Sequence, residues 1–493
     1  MKRAKKLYIL LGILVAVCAV TFGVSRYQTR QEEIKNSGEV ILEVPTDSVE
    51  SLSWDVDDRS FSFHKETAEE DTDSESIWIY DEDDAFPVDK NKINSLLSCF
   101  ESLSAAFVIE NPEDLGQYGL TDPTCTIDFS DGETSYTVLL GDYSPMDSQR
   151  YVSIGDGNVY LVEDDPMEEF DVELSNMLDD DDIPYLEEEG TTPSIRFSGD
   201  INYEITYEAD SANTYREEDV YFTEQNGRQV PLDSTRVSDY LHEVSFLFPD
   251  EYVTYKATDE DLADCGLDNP QLVIEADYNT EDDDGNTVSK TFTISISRDP
   301  AELAKAQDDA EKTNSSDTET TSEEEEDAEA EDITAYMRIG DSKIIYRLSG
   351  EDYQTLMAGG YNDLRHTEVL PADFADIAQI DISLEGTDYT ITSEGDAEER
   401  TYFYADEELD IADLQSAMQT LTADSFTDEQ PTEKEEIHLT LHLDLEGEPS
   451  VEIGLYRYDG SYCLAVVDGT PMCLVQRSYV VDLIEAVNAI VLS

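Results

Sequence analysis

Apolar positions along the chain recur with two periods. Ile93, Leu96, Leu97, Phe100 and Leu103 fall at i, i+3, i+4, i+7 and i+10, the spacing that puts one stripe of side chains on one face of an α-helix. The stripe returns 144 residues later as Val237, Tyr240, Leu241, Val244 and Leu247, and a weaker third copy at an offset of 321 holds Leu414, Ala417, Met418 and Leu421. Asp89, Asp233 and Asp410 precede the three stripes, where a carboxylate accepts hydrogen bonds from the first free amides and starts a helix. The first two copies also share Pro87 and Pro231. Each stripe follows a short aromatic run, at 77–80, 220–222 and 402–404, and such runs predict strands because aromatic and β-branched side chains suit a pleated, half-buried surface.

A second signature follows the first two helices. Asp114, Leu115, Gly119, Leu120 and Pro123 match Asp261, Leu262, Gly266, Leu267 and Pro270 at an offset of 147. The glycines predict a left-handed turn and the prolines the start of the next extended segment. Strands are then expected at 125–129, 136–140, 151–154 and 159–162 in the first copy, and at 272–276, 292–296, 336–339 and 344–348 in the second. In the third copy YCLAVVDGTPMCLV, 462–475, plays the hairpin part. Closing helical segments are expected at 166–178 and 478–491. The pattern predicts an α+β fold: an N-terminal transmembrane helix followed by repeated modules of mainly antiparallel sheet with helices covering one side. The modules are placed at 45–185, 192–368 and 372–493, after a linker at 31–44. An acidic run at 301–332, with 14 acids, two lysines and no aromatic residue, cannot bury enough surface to order itself and is read as a disordered loop between two strands of one sheet. A smaller acidic insert spans 66–75.

Charge sharpens the picture of the N-terminus. The 493 residues hold 117 Asp and Glu against 29 Lys and Arg, a net charge of −88. Residues 1–30 nevertheless carry six basic residues and no acid, and 7–24 carry no charge at all. Eighteen residues at about 1.5 Å each nearly match a hydrocarbon core. Lys2, Arg3, Lys5 and Lys6 precede the span, against Arg26 and Arg30 after it, so the positive-inside bias puts residues 1–6 in the cytoplasm and the bulk of the chain outside, in a single-pass cell-membrane protein. A retained anchor is preferred to a cleaved signal because Gly23, Val24 and Ser25 run into Arg26 with no clean small-x-small site.

The span, Trp78 to Tyr80, Phe86 to Asp89, the Asp114–Pro123 signature, Leu140 to Asp142 and the hairpin 151–162 (YVSIGDGNVYLV) together resemble the bacterial family known as domain of unknown function 4340. The likeness covers the first module well and the second in part; the third lacks the Gly-Leu turn. The resemblance implies a membrane-anchored bacterial protein, often found beside components of gliding-type ABC transporters. No catalytic residue is established for the family, so none carries over.

Candidate chemistry is sparse. The acidic surface excludes nucleic acid as a partner, because phosphate binding needs clustered Lys and Arg. No phosphate-binding loop, nucleophile elbow or metalloprotease motif is present. His438 and His442 alternate with Leu439, Leu441 and Leu443 as on a half-solvated strand, about 13 Å apart, too far to share a metal ion. Cys463 and Cys473 lie symmetrically about Asp468 and could face one another across a hairpin as a disulfide. The acidic clusters at 81–84, 179–182 and 281–285 lack the alternating spacing of an EF-hand, so diffuse association with divalent cations is expected rather than a built site. No catalytic, cofactor-binding or metal-ligating residue is therefore assigned and no cofactor is implied. The expected function is that of a non-enzymatic binding or scaffolding protein of the bacterial cell envelope, held to the membrane by 7–24. The alternatives are an accessory subunit of an ABC-type transport complex, beside a permease or another envelope protein, and a cell-envelope hydrolase whose carboxylate pair is hidden in the acidic background.

Overall fold

The computed structural model describes residues 21, 38–67, 76–249, 251–282, 284–305, 333–397 and 399–492. The span expected at 7–24, apart from residue 21, and the acidic stretches 68–75 and 306–332 lie outside the described residues. No helix among the described residues is long and apolar enough to cross a membrane. The chain divides into two units, Met1–Asp181 with Glu251–Lys256, and Asp182–Asp250 with Ala257–Ser493.

The first unit contains one antiparallel sheet. Its strands are β1 (Glu39–Leu42), β2 (Ser51–Val56), β3 (Arg59–Thr67), β4 (Ser76–Tyr80), β5 (Leu103–Ile109), β6 (Cys125–Ser130), β7 (Ser135–Ser144), β8 (Gln149–Ser153) and β9 (Val159–Val162), in the order β1-β5-β9-β8-β7-β6-β2-β3-β4. β1 lies inside the expected linker 31–44 and pairs with β5, so the ordered sheet starts earlier than the hydrophobic pattern indicated. Helix α1 (Lys90–Ser98) starts at Asp89, whose carboxylate accepts the Asn91 amide, and buries Ile93, Leu96 and Leu97. The expected closing helix splits into α2 (Met167–Phe170) and a 3-10 turn, Leu174–Met177. Trp54 stacks on Phe63 and meets Phe170 edge-on, while Phe100 stacks on Phe129. Full burial of each such ring stabilises by about 2–3 kcal/mol.

The second unit contains two further antiparallel sheets. One uses β10 (Ser194–Gly199), β11 (Tyr203–Tyr207), β12 (Tyr221–Gln225), β13 (Arg228–Pro231), β15 (Leu272–Glu281), β16 (Thr287–Arg298), β17 (Ala335–Ile339) and β18 (Ile345–Leu348), running β13-β12-β11-β10-β15-β16-β17-β18; β14 (Glu251–Thr254) groups with the first unit. The other uses β19 (Ile377–Leu384), β20 (Thr387–Glu394), β21 (Thr401–Tyr404), β22 (Glu407–Glu408), β23 (Ser425–Phe426), β24 (Glu435–Leu443), β25 (Ser450–Arg457), β26 (Tyr462–Val467) and β27 (Thr470–Gln476), in the order β22-β21-β20-β19-β24-β25-β26-β27-β23. One seven-strand order therefore occurs three times: β4-β3-β2-β6-β7-β8-β9, β12-β11-β10-β15-β16-β17-β18 and β21-β20-β19-β24-β25-β26-β27. The repeat seen in the apolar pattern is a repeat of topology.

Helix α3 (Ser234–Ser245) is capped by Asp233, which accepts the Thr235 and Arg236 amides, and buries Val237, Tyr240, Leu241 and Val244. The helices α4 (Asp259–Asp264), α5 (Gly350–Met357), α6 (Tyr361–Leu364), α7 (Ala412–Gln419) and α8 (Arg477–Val491) follow. In α7 the cap is displaced: Ile411 holds the N-cap position, and Asp410, one residue earlier, accepts the Ala412 amide. Leu414 and Met418 of α7 and Val480, Leu483 and Val487 of α8 pack on Ile380, Ile382, Leu439, Leu441 and Leu455, so both helices cover one face of this sheet.

The other face is not everywhere bare. Gly119 and Gly266 both take a positive φ, +72° and +71°, closed by Leu120 N to Leu115 O at 3.1 Å and Leu267 N to Leu262 O at 2.7 Å. A Cβ on Gly119 would meet the Asp142 backbone nitrogen at 2.7 Å, so the turn is pressed onto β7. In the second copy Cys265, Leu267 and Ile345 form a small separate core with Tyr336. Tyr336 and Ile345 alternate with Met337 and Tyr346 in register, which places this core on the opposite face from the main one. The expectation of helices on one side holds for the long helices and fails for this turn.

Two further expectations change. Residues 301–305, read by composition as disordered, are helical, with Asp299 accepting the Ala301 and Glu302 amides, while β16 and β17 around the acidic run do pair. Cys463 and Cys473 are buried free thiols. Val467 faces Thr470 across a turn centred between Asp468 and Gly469, and one extra residue on β27 shifts the register again between Ala465 and Val466, so Cys463 lies opposite Val475 and Cys473 opposite Ala465. Burial pushes their thiols up to about 11 and about 12.

Candidate functional site

Most of the acidic and histidine positions singled out in the sequence are absorbed by local hydrogen bonding. His438 and His442 project from β24 between the buried Leu439, Leu441 and Leu443; His438 Nδ1 lies 2.9 Å from Glu435 Oε1 and His442 Nε2 lies 2.8 Å from Asp381 Oδ2. In the 81–84 cluster, Asp81 contacts Ser62 and His64, and Asp83 contacts Lys256 and accepts from Tyr255 Oη at 2.7 Å. The Lys256 and Tyr255 hydrogen bonds hold the Asp83 carboxyl down to about 2. In the 179–182 cluster, burial pushes the Asp180 carboxyl up. In the 281–285 cluster, Asp282 turns back on the Asp284 and Asn286 amides at 3.0 and 2.8 Å. These carboxylates close turns and meet cations on their own unit.

One cluster stands apart, and the sequence reading did not find it. The segment 365–372 leads from α6 to the third sheet. Its backbone is held by Val369 N to Leu421 O and Ala423 N to Thr367 O, with isolated bridges Glu368–Thr422 and Tyr215–Ala372. His366 projects from this segment toward the loop before β12. Its Nε2 lies 2.9 Å from Asp219 Oδ1, with side chains 16% and 1% exposed. The second Asp219 oxygen accepts from Thr214 Oγ1 at 2.5 Å, and Arg216 donates to Leu370 O at 2.8 Å. Asp219 therefore lies in the interior with each carboxyl oxygen held by a neighbouring side chain.

The far side of the imidazole is less complete. His366 Nδ1 and Glu368 Oε2 are 3.8 Å apart, beyond hydrogen-bond length. Both are buried atoms without a hydrogen-bond partner, as is Arg216 Nε. Asp233 completes the group: one ligand atom each from Asp233, His366 and Glu368 lie within 4.8 Å of one another. Burial pulls the His366 pKa down, but the Asp219 and Glu368 carboxylates outweigh it and raise it to about 9. The same imidazole holds the Glu368 carboxyl down to about 2 against partial burial. At neutral pH the cluster pairs an imidazolium with carboxylates on both sides.

The clefts are polar and open. A groove of about 370 Å³ between α7 and α8 is lined by Asp413, Ser416, Thr420, Tyr479, Asp482 and Glu485.

No curated protein and no solved structure matches the chain. Residues 78–270, from Trp78 in β4 to the proline that follows the second Gly-Leu turn, match the family described as domain of unknown function (DUF4340).

Proposed function

We propose that this protein is a non-catalytic binding or scaffolding component of the bacterial cell envelope, tethered to the membrane by residues 7–24 and presenting its modules outside the cell. The observation that carries the reading is the threefold recurrence of one strand order with polar outer positions. Alternate residues on β2 and β6, Ser53, Asp55, Thr126 and Asp128, face away from the buried Leu52, Trp54, Ile127 and Phe129. The corresponding strands carry Ser194, Arg196, Glu275 and Asp277 in the second sheet, and Asp381 and His442 in the third. Hydroxyls and amides tie these carboxylates in place: Thr137 to Asp128 at 2.5 Å, Thr291 to Asp277 at 2.6 Å and Thr390 to Asp381 at 2.7 Å. Rigid, polar and repeated surfaces suit recognition of a partner better than turnover of a substrate.

The test is a native pull-down of the full-length chain from detergent-solubilised bacterial membranes. Stoichiometric recovery of an envelope protein supports the reading, and recovery of a permease would specify the transport-complex form of it. Recovery of the chain alone, or of the intact chain in the soluble fraction, would overturn it.

A further inference from the structure

The group at Asp233, His366 and Glu368 differs from the other histidine–carboxylate contacts of this chain in two respects. Two of its atoms, His366 Nδ1 and Glu368 Oε2, are buried and unpartnered while lying 3.8 Å apart. The imidazole is also fixed from behind, since Asp219, itself 1% exposed, accepts from Nε2. Buried polar atoms are nearly always satisfied by protein, water or an ion. A histidine whose rear nitrogen donates to a carboxylate has its front nitrogen set for a metal ion, in the arrangement that fixes ring tautomer and orientation at metal centres.

We propose that Asp233, His366 and Glu368 form a binding site for one divalent transition-metal ion of the zinc class. Zinc takes imidazole nitrogen and carboxylate oxygen at about 2.0–2.2 Å, so ligand atoms on one ion stand roughly 3.3–3.5 Å apart. The present spread, 3.8 Å for the histidine and Glu368 atoms and within 4.8 Å for all three, closes with side-chain movements of about 1 Å. A mixed nitrogen and oxygen set selects zinc, cobalt or nickel over calcium and magnesium, which prefer oxygen alone. The metal displaces the proton from Nδ1, and water completes the coordination.

The position gives the ion a structural consequence. Asp233 caps α3 beneath the second sheet, whereas His366 and Glu368 belong to the segment whose backbone bonds to residues 421–423 of the third. Both belong to the second unit. Three ligands on one ion staple the exit from one sheet to the entry of the next.

The experiment uses the full-length chain in detergent, stripped with chelator and dialysed, titrated calorimetrically with Zn²⁺, with Co²⁺ absorption as a second readout. One saturable site per chain and a cobalt spectrum of nitrogen–oxygen coordination are expected. His366→Gln and Glu368→Gln each weaken that site by about tenfold or more, whereas Asp282→Asn, in a self-closed acidic turn, leaves it unchanged. Glu368 is 39% exposed at its side chain, so its variant carries the test if His366→Gln does not fold. Titrations of the wild-type chain and Glu368→Gln that superimpose, or weak unsaturable uptake in both, overturn the site.

Discussion

Two histidine–aspartate pairs of nearly equal length occur in the second unit, and they teach different things. His442 and Asp381 meet at 2.8 Å on an open sheet face, with side chains 43% and 39% exposed. His366 and Asp219 meet at 2.9 Å with side chains 16% and 1% exposed. Distance alone would rank them as equals. Water separates them, because a solvated pair gains little over its two hydrated partners, whereas a buried pair strands a charge if either partner is lost. The first pair belongs to a surface that can vary; the second fixes how the segment 365–372 runs between two sheets.

The largest expected effect comes from breaking the buried pair on its acidic side. Asp219→Ala leaves the His366 imidazolium without its nearest counter-charge and removes the acceptor of Thr214, and should destabilise the second unit by about 3–5 kcal/mol in denaturant unfolding. A double-mutant cycle sharpens the comparison. In a His366→Gln background the same substitution should cost clearly less, since no imidazolium remains to be stranded. Equal costs in the two backgrounds would show that the pair does not act as a pair.

The pH dependence follows from the same residues with a definite sign. His366 is raised from 6.5 to about 9 in the folded protein, so its contribution is fully present below about pH 6.5 and is lost as pH rises through about 9. Glu368 is lowered from 4.5 to about 2, so its contribution is present above about pH 4.5 and is lost as pH falls through about 2. The cluster therefore contributes most between these limits. The stability difference between wild type and His366→Gln, measured by urea unfolding in metal-free buffer, should shrink from pH 6.5 to pH 9.5. A constant difference over that interval contradicts the assignment.

The contrast also explains what the sequence made legible. The Gly-Leu turns and the alternation around His438 and His442 are local patterns that appear in the structure, and so do the helix stripes from 93 and 237, except that the helices end at Ser98 and Ser245 and leave Phe100, Leu103 and Leu247 beyond them. Asp219 and His366 are 147 residues apart. Asp219 lies in a run of acids, Glu217 and Glu218 before it, and only the fold distinguishes the one that is buried. His366 lies in an irregular connection with no periodicity to report its burial. Asp233 was legible as a helix cap, and nothing local reveals its second neighbourhood. The cysteine pair failed for a related reason: symmetry about Asp468 assumes a turn centred there and an unbroken ladder, whereas Val467 faces Thr470 across a turn centred between Asp468 and Gly469 and one extra residue on β27 adds a further step, so Cys473 stands two positions off the partner it needed.

The smallest expected effect is the control that gives the comparison its meaning. Asp381 accepts from Thr390, Gln379 and His442, and those bonds outweigh its partial burial and lower its carboxyl. Every partner can nonetheless turn to water when the carboxylate is removed. Asp381→Asn should therefore change stability by less than about 1 kcal/mol, and the change should fade further in 1 M salt, where exposed charges are screened within about 3 Å. A loss approaching that of Asp219→Ala would mean that the open face of the third sheet is covered in the working protein, and the surface assigned here to partner recognition would already be occupied.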